Sequence, residues 1–329
     1  MQLLLTGLKK IEYRQDHPEL PVPNSGLIPL KVRYCAICRT DAKMWSEGHR
    51  DLVLPRVPGH EVVVEDETGQ RYTVWPGRNC GKCIYCLRGR ENLCDEMKIM
   101  GFHHDGGFSD TLAAPPETLI PVPDNLASPV ASFTEPVGCV FNALEHLHLH
   151  GDERAIIYGG GTMGLIAALV LKQRGVVPLI VEKDARKIAK SGELLSAAGI
   201  ECGKDTTDSE FDIAINACPA PTAFSLCLTK LAKGGRLAFF SGLTKNEYLD
   251  TDLVNLIHYK ETEIVGSYGL TKGHMRDALL FVEGHGHLLE KLIEDIISPG
   301  QVMETMPQVL SGEHFKFIID FTKKDHPIG

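Results

Sequence analysis

Cys80, Cys83, Cys86 and Cys94 follow the pattern C-x2-C-x2-C-x7-C, within N-C-G-K-C-I-Y-C-L-R-G-R-E-N-L-C. Four thiolates this close in the chain can close a tetrahedral shell around one soft cation and leave no position for substrate. That is the chemistry of a structural zinc site. Gly81, Lys82 and Gly89 suit the tight turns such wrapping needs. A disulfide-stapled secreted loop and buried inert thiols are the other uses of such cysteines, and the spacing favours zinc over both.

A second motif, Gly159-Gly160-Gly161-Thr162-Met163-Gly164, satisfies G-x-G-x-x-G. It follows the apolar run Arg154–Tyr158 and opens a helical pattern, the context that makes a glycine turn a dinucleotide-binding turn. Gly159 permits the turn, and Gly161 lets backbone amides, with those of Thr162 and Met163, approach a pyrophosphate. Gly164 allows helix and strand to close up, and the helix N-terminus adds partial positive charge. Glu182 ends the next strand, where an acid binds the adenosine ribose hydroxyls and repels a 2′-phosphate. NAD is therefore expected over NADP, although Lys183, Arg186 and Lys187 follow at once and could meet a phosphate.

These motifs need elements to hold them. The first third reads as strand and loop: Leu30–Tyr34 alternates, Glu61–Trp75 reads as a hairpin turning at Gly69, and prolines recur from Pro18 to Pro123. That density of breakers leaves little room for long helices. Helix is expected at Val137–His148, and strand and helix then alternate. The strands are Leu179–Val181, Phe211–Ile215, Arg236–Phe240 and Glu263–Val265; helices lie near Gly164–Gln173, Ala185–Ala198, Ala223–Ala232 and Leu253–His258. Such alternation builds βαβ units and a parallel sheet, so the fold class is α/β. The tail Phe315–Phe321 is strand-like again and should rejoin the first domain. The expected domains are 1–151 with a zinc lobe at about 77–96, an inserted dinucleotide-binding domain at 152–268, and a return at 269–329.

Composition bounds the function. A net charge of -9, a pI near 5.9 and no long basic run argue against a nucleic-acid partner. No apolar stretch reaches membrane-spanning length, and the start M-Q-L-L-L-T-G-L-K-K does not read as a signal peptide. A cytoplasmic chain would keep its ten cysteines reduced, as ligands or inert thiols.

Three scattered segments complete the pattern: Cys38-Arg39-Thr40-Asp41, Gly59-His60-Glu61 and Thr134-Glu135-Pro136. Taken with the four cysteines, the glycine turn and Leu256–Gly266, they resemble the zinc-dependent medium-chain dehydrogenases, and most closely the sorbitol and threonine dehydrogenase branch. The resemblance covers nearly the whole chain. It implies a GroES-like β-rich catalytic domain, an inserted Rossmann domain of doubly wound parallel sheet, and a catalytic zinc in a cleft between them. By position it assigns Cys38, His60 and Glu135 to that zinc, and Glu61 as a further ligand that exchanges with water. It also makes Asp41 the carboxylate that orients His60, and it turns Arg39 toward the cofactor. The implied reaction passes a hydride between NAD and a zinc-bound secondary alcohol or its ketone, with Thr40 accepting the alcohol proton.

The chain departs from that pattern in two places. Lys43 stands where many relatives carry the histidine that ends the proton relay, and the segment Glu61–Cys80 is shorter than usual. His103-His104 and the alternating His146, His148 and His150 read as solvated. Cys35, Cys139, Cys202, Cys218 and Cys227 read as inert thiols. Trp45, His60, Phe102 and the stretch Ser267–Leu270 are candidates for the substrate pocket, and no arginine–acid pair there marks a sugar alcohol. Polyols, hydroxy-amino acids and other secondary alcohols all stay open as substrates. A homodimer or homotetramer formed through Glu263–Ser267 is expected from the resemblance. A zinc-free quinone or enone reductase, which would lack the Cys, His and Glu ligands, and a non-catalytic dinucleotide-binding protein are the competing functions.

Overall fold

The computed structural model describes residues 1–15, 26–244 and 250–323, so Pro18, Pro21 and Pro23 and the end of the returning segment lie outside the described residues. The chain forms two compact units, Met1–Gly138 with Leu270–Gly329, and Cys139–Gly269. The first crossing falls inside the helix Thr134–Glu145, where the sequence pattern placed it near 151.

The first unit is built on a sheet in the order Ile293–Ile297, Lys316–Asp320, Ile28–Ala36, Glu61–Glu65, Arg71–Val74 and Leu119–Pro121. Its central strand, Ile28–Ala36, is long enough to serve different partners along its length. Ile28 to Lys31 pair antiparallel with Thr111–Ala114, while Tyr34 to Ala36 pair with Lys316–Asp320 on one side and Glu61–Glu65 on the other. The tail thus does return to the first sheet. The expected hairpin is present: Val63 faces Thr73, and Asp66 caps the turn by accepting the Thr68 and Gln70 N–H groups. Val32, Cys35, Val62, Val64, Phe108 and Ile319 meet in one buried cluster beneath this sheet.

Three of this unit's longer helices escaped the sequence reading, Val302–Ser311 among them. Arg39–Glu47 follows the central strand directly, and Lys272–Leu289 runs for 18 residues with Met275, Ala278, Leu279 and Val282 buried on one stripe. That i, i+3, i+4, i+7 spacing is a helical signal. Gly273, Gly284 and Gly286 weaken it by propensity, and tertiary burial overrides them.

The second unit is a six-stranded parallel sheet in the order Glu201–Gly203, Val177–Val181, Arg154–Tyr158, Phe211–Asn216, Leu231–Phe239 and Glu263–Gly266. Counted along the chain, this is the order 3-2-1-4-5-6 of a doubly wound dinucleotide-binding sheet. Ile156, Ala214, Leu228 and Leu237 lie in its buried core. The helices Thr162–Gln173, Ala185–Ala198, Pro221–Lys230 and Thr251–Tyr259 begin and end within a few residues of the sequence expectation. The three-residue strand Glu201–Gly203 was too short to show as a pattern. Among the described residues no helix is long and apolar enough to cross a membrane.

Candidate active site

Cys38 sits where the central strand of the first unit gives way to the helix Arg39–Glu47, as that helix's N-cap. Its sulfur accepts the Thr40 N–H at 3.5 Å, and the Asp41 carboxylate reaches back to accept the Cys38 N–H at 2.9 Å. The result is a capping box with sulfur in the usual hydroxyl place, at the positive end of the helix.

Asp41 also ties in the next segment. Fully buried, it accepts the Gly59 N–H at 3.2 Å, and its Oδ1 lies 3.5 Å from His60 Nδ1. One carboxylate therefore positions both Cys38 and His60, which come from separate elements. Burial works against a charge on His60, but Asp41 and Cys38 outweigh it and carry its pKa well above the ordinary histidine value. The site is built to attract a cation. His60 Nδ1 is buried and completes no hydrogen bond. A metal on Nε2 would fix the proton on Nδ1, facing Asp41, which is how metal-bound imidazoles are usually held.

Ligand atoms of Cys38, His60 and Glu61 all lie within 4.8 Å of one another. A thiolate, an imidazole and a carboxylate at this spacing suit zinc with a position left for substrate. Glu135 is buried in the first turn of the helix Thr134–Glu145 and is not among the atoms of that group.

The sequence reading missed Lys316. Its ammonium donates to both Glu61 oxygens, each at 2.8 Å, deep in the first unit. Burial opposes the charge on Lys316, and Glu61, Cys38 and Glu135 together outweigh burial and raise its pKa. A lone lysine inside the apolar strand F-K-F-I-I-D-F was the available signal.

The other candidates are placed less tightly. Arg39 is exposed and donates to the Leu310 carbonyl at 3.2 Å. Trp45 is buried within the first unit's core, and the Phe102 ring tilts against His60 at 5.7 Å. His104 is not solvated as expected: burial, followed by Arg78, pushes its pKa down to about 4. His103 is half-buried as well, and its Nδ1 accepts the Ile99 N–H. His148 and His150 are exposed.

The four-cysteine lobe closes on itself. Cys80 and Cys86 sulfurs stand 4.0 Å apart and those of Cys83 and Cys86 3.5 Å, near the edge of about 3.8 Å of a zinc–sulfur tetrahedron. Gly81 and Gly89 take positive φ in the turns between the ligands. The Cys80 and Cys83 N–H groups donate to the Cys94 and Cys80 sulfurs, and the Asn79 amide donates to Cys86. Chiefly through the Cys86 backbone, the Cys83 thiol is lowered to about 6.

In the second unit, the helix Thr162–Gln173 starts at Gly161 with no side-chain cap, so its first N–H groups are left for a ligand. Thr162 and Met163 are its first two residues. Glu182 closes the loop from the side: it accepts the Gly160 and Asp184 N–H groups at 2.9 Å and pairs with Lys187 at 2.7 Å. Burial resists ionisation, but these donors keep the carboxyl below its ordinary pKa. Tyr158, Gly159, Glu182, Lys183, Lys187 and Cys218 line an adjoining pocket of about 150 Å³. Cys218 thus borders this pocket.

Residues 24–124 match the model of the alcohol dehydrogenase GroES-like domain. The chain is 30% identical over 288 residues to a zinc-type alcohol dehydrogenase-like protein of Haemophilus influenzae, covering 79% of this chain and 82% of that one. It is 28% identical over 279 residues to the sorbitol dehydrogenase of Halalkalibacterium halodurans, covering 77% and 79%. Its fold matches a solved Escherichia coli alcohol dehydrogenase complexed with NADH, with a TM-score of 0.84 at 21% identity over 97% of this chain and 98% of that one.

Proposed function

The chain belongs to the zinc-type alcohol dehydrogenases of the medium-chain dehydrogenase/reductase family, and on that premise we propose that it transfers a hydride between NAD and a secondary alcohol of the polyol or hydroxy-amino acid kind. The observation that carries this reading is the mutual approach of Cys38, His60 and Glu61 within 4.8 Å around a fully buried Asp41.

Cys38, His60 and a carboxylate from Glu61 or Glu135 would hold the catalytic zinc, and Cys80, Cys83, Cys86 and Cys94 a structural one. When bound, zinc supplies Lewis-acid charge for the alcohol oxygen and the nicotinamide takes the hydride. The protein's own work is orientation and charge. Asp41 fixes the Cys38 and His60 segments, and Phe102 walls the imidazole with apolar surface. Thr40, the second residue of the helix that Cys38 caps, is the hydroxyl that the family resemblance assigns to accept a substrate proton. Glu182 supports NAD over NADP, since its carboxylate stands at the ribose end of the glycine loop, where a 2′-phosphate would be repelled. A homo-oligomer pairing through Glu263–Gly266 is part of the same reading. That strand ends the sheet, with its Ile264 exposed and Tyr268 exposed just after it.

The test is metal content together with turnover. Purified protein should carry two zinc ions per chain and reduce NAD with some members of a panel of polyols, hydroxy-amino acids and simple secondary alcohols. Cys38→Ser should lose one zinc and at least the roughly 100-fold in activity that even an outer partner of a metal ligand can cost. Full activity in a folded Cys38→Ser protein would overturn the assignment.

A further inference from the structure

We propose that His49, His103 and Lys98 form an oxyanion site one phenyl ring away from His60, so that the alcohol this protein acts on carries a carboxylate or phosphate beyond its reacting carbon. The inference rests on the reading of Cys38 and His60 as zinc ligands, and it narrows the substrate class given above.

Phe102 is the link between the two places. Its ring tilts against His60 at 5.7 Å and meets the His49 ring edge-on at 5.3 Å, while its carbonyl accepts the Val53 N–H at 3.2 Å. The loop that carries His49 is thereby tied to the turn that carries His103, both within the first unit. Each imidazole is locked in one tautomer by its own loop. His49 Nδ1 accepts the Asp51 N–H at 3.2 Å and His103 Nδ1 accepts the Ile99 N–H at 3.0 Å, so both rings carry their proton on Nε2. Neither Nε2–H has a partner among the described residues, and both rings are only partly buried. Two fixed donors therefore stand ready for an acceptor from outside the chain.

The charge around them decides which acceptor. Arg56 is matched by Asp105 at 2.8 Å, and Arg50 by Asp51 at 3.4 Å. Lys98 is exposed and pairs with no acid among the described residues. Strand register sets it directly opposite Arg78, a like-charge pairing that costs stability in a two-stranded ladder. Arg78 Nε is itself buried without a partner, with the exposed Glu117 the acid that Arg78 feels. Burial and then Lys98 hold the His103 pKa below the ordinary histidine value, against Asp51 and the Ile99 N–H, so His103 is a neutral donor in positive surroundings. A hydroxyl could accept from the two imidazoles but would leave the excess positive charge unanswered. An oxyanion answers both, even with Asp51 nearby, because Asp51 already has its cation. The ring between His60 and His49 sets the oxyanion several bonds from the reacting carbon, as in a sugar acid or a polyol phosphate.

Inorganic phosphate is the binding probe, added to zinc-loaded protein saturated with NADH so that the cofactor's own phosphates fill the glycine turn. Histidine 15N and 1H resonances of His49 and His103 at Nε2 should shift saturably with phosphate. In Lys98→Met, a change at an exposed position, phosphate affinity should fall about tenfold, the size of one lost charge-assisted hydrogen bond, and Lys98→Arg should keep it. The second arm compares kcat/KM for a neutral polyol, the matching sugar acid and the matching phosphate ester. At least one anionic form should exceed the neutral polyol about tenfold, and Lys98→Met should shrink that ratio about tenfold through KM. Preference for the acid or for the ester supports the proposal and tells which oxyanion is bound. A neutral polyol used as well as both anionic forms, or a phosphate response unmoved by Lys98→Met, overturns the proposal and leaves the dehydrogenase reading standing. A zinc-loaded parent that turns over no secondary alcohol refutes that reading itself.

Discussion

The two inner glycines of the dinucleotide turn should fail in opposite ways when each is given a methyl group. At Gly164 a Cβ would lie 1.9 Å from the Gly159 carbonyl oxygen and 3.3 Å from the Ala217 Cβ. The first contact is with backbone, so no side-chain rotation relieves it. The helix Thr162–Gln173 would have to retreat by on the order of 1 Å, and it is buried from Gly164 through Leu171. Overpacking of this kind costs about 1–3 kcal/mol, and a backbone clash belongs at the upper end. Gly164→Ala should therefore lower the melting temperature by about 6–12 °C for a unit of this size. At Gly161 a Cβ meets no atom within 4 Å, and its φ of -80° suits any residue. Gly161→Ala should thus fold at least as well as the parent, gaining up to about 1 kcal/mol from a less flexible unfolded chain. Its defect should appear only with cofactor, because the methyl occupies the space where the backbone meets the pyrophosphate. NADH affinity by fluorescence titration should fall about tenfold, or about 1.4 kcal/mol. If Gly161→Ala binds NADH like the parent, the phosphate does not approach that backbone. If Gly164→Ala melts with the parent, the close-approach argument is wrong.

Glu182→Ala should raise the NADP-to-NAD ratio of kcat/KM by about tenfold, as a carboxylate leaves and Lys183 and Lys187 remain; an unchanged ratio would count against Glu182 as the discriminator. Cys94→Ser should bring zinc content from two per chain to one and expose the lobe around residues 77–96 to protease, since three thiolates leave the closed shell incomplete. Retention of both zinc ions in that variant would refute the structural site. Ile264→Lys places a charge on the edge strand Glu263–Gly266 and should shift sedimentation from oligomer to monomer; no shift would move the interface elsewhere.

Much of this was legible because it is local. The cysteine lobe and the glycine turn are each contiguous, and their spacing encodes the geometry directly: ligands return after two or seven residues, and a turn opens a helix. The parallel sheet was equally readable, since its strands are short apolar runs bounded by helical patterns, and only the brief Glu201–Gly203 went unseen. The helix Arg39–Glu47 was passed over in a region read as strand and loop, and its start is fixed by the Cys38–Asp41 capping box.

The sequence by itself thus determined the fold class and the four-cysteine cluster, and its family resemblance named Cys38, His60, Glu61 and Glu135 as candidate ligands. Only the tertiary structure decided how those ligands are held. Asp41 reaches Gly59 across 18 residues, and Lys316 reaches Glu61 across 255 because the last strand pairs beside the central one. Strand pairing is non-local, so no spacing in the chain announces which side chains it brings face to face. A buried charge acquires its partner only after the sheet has closed.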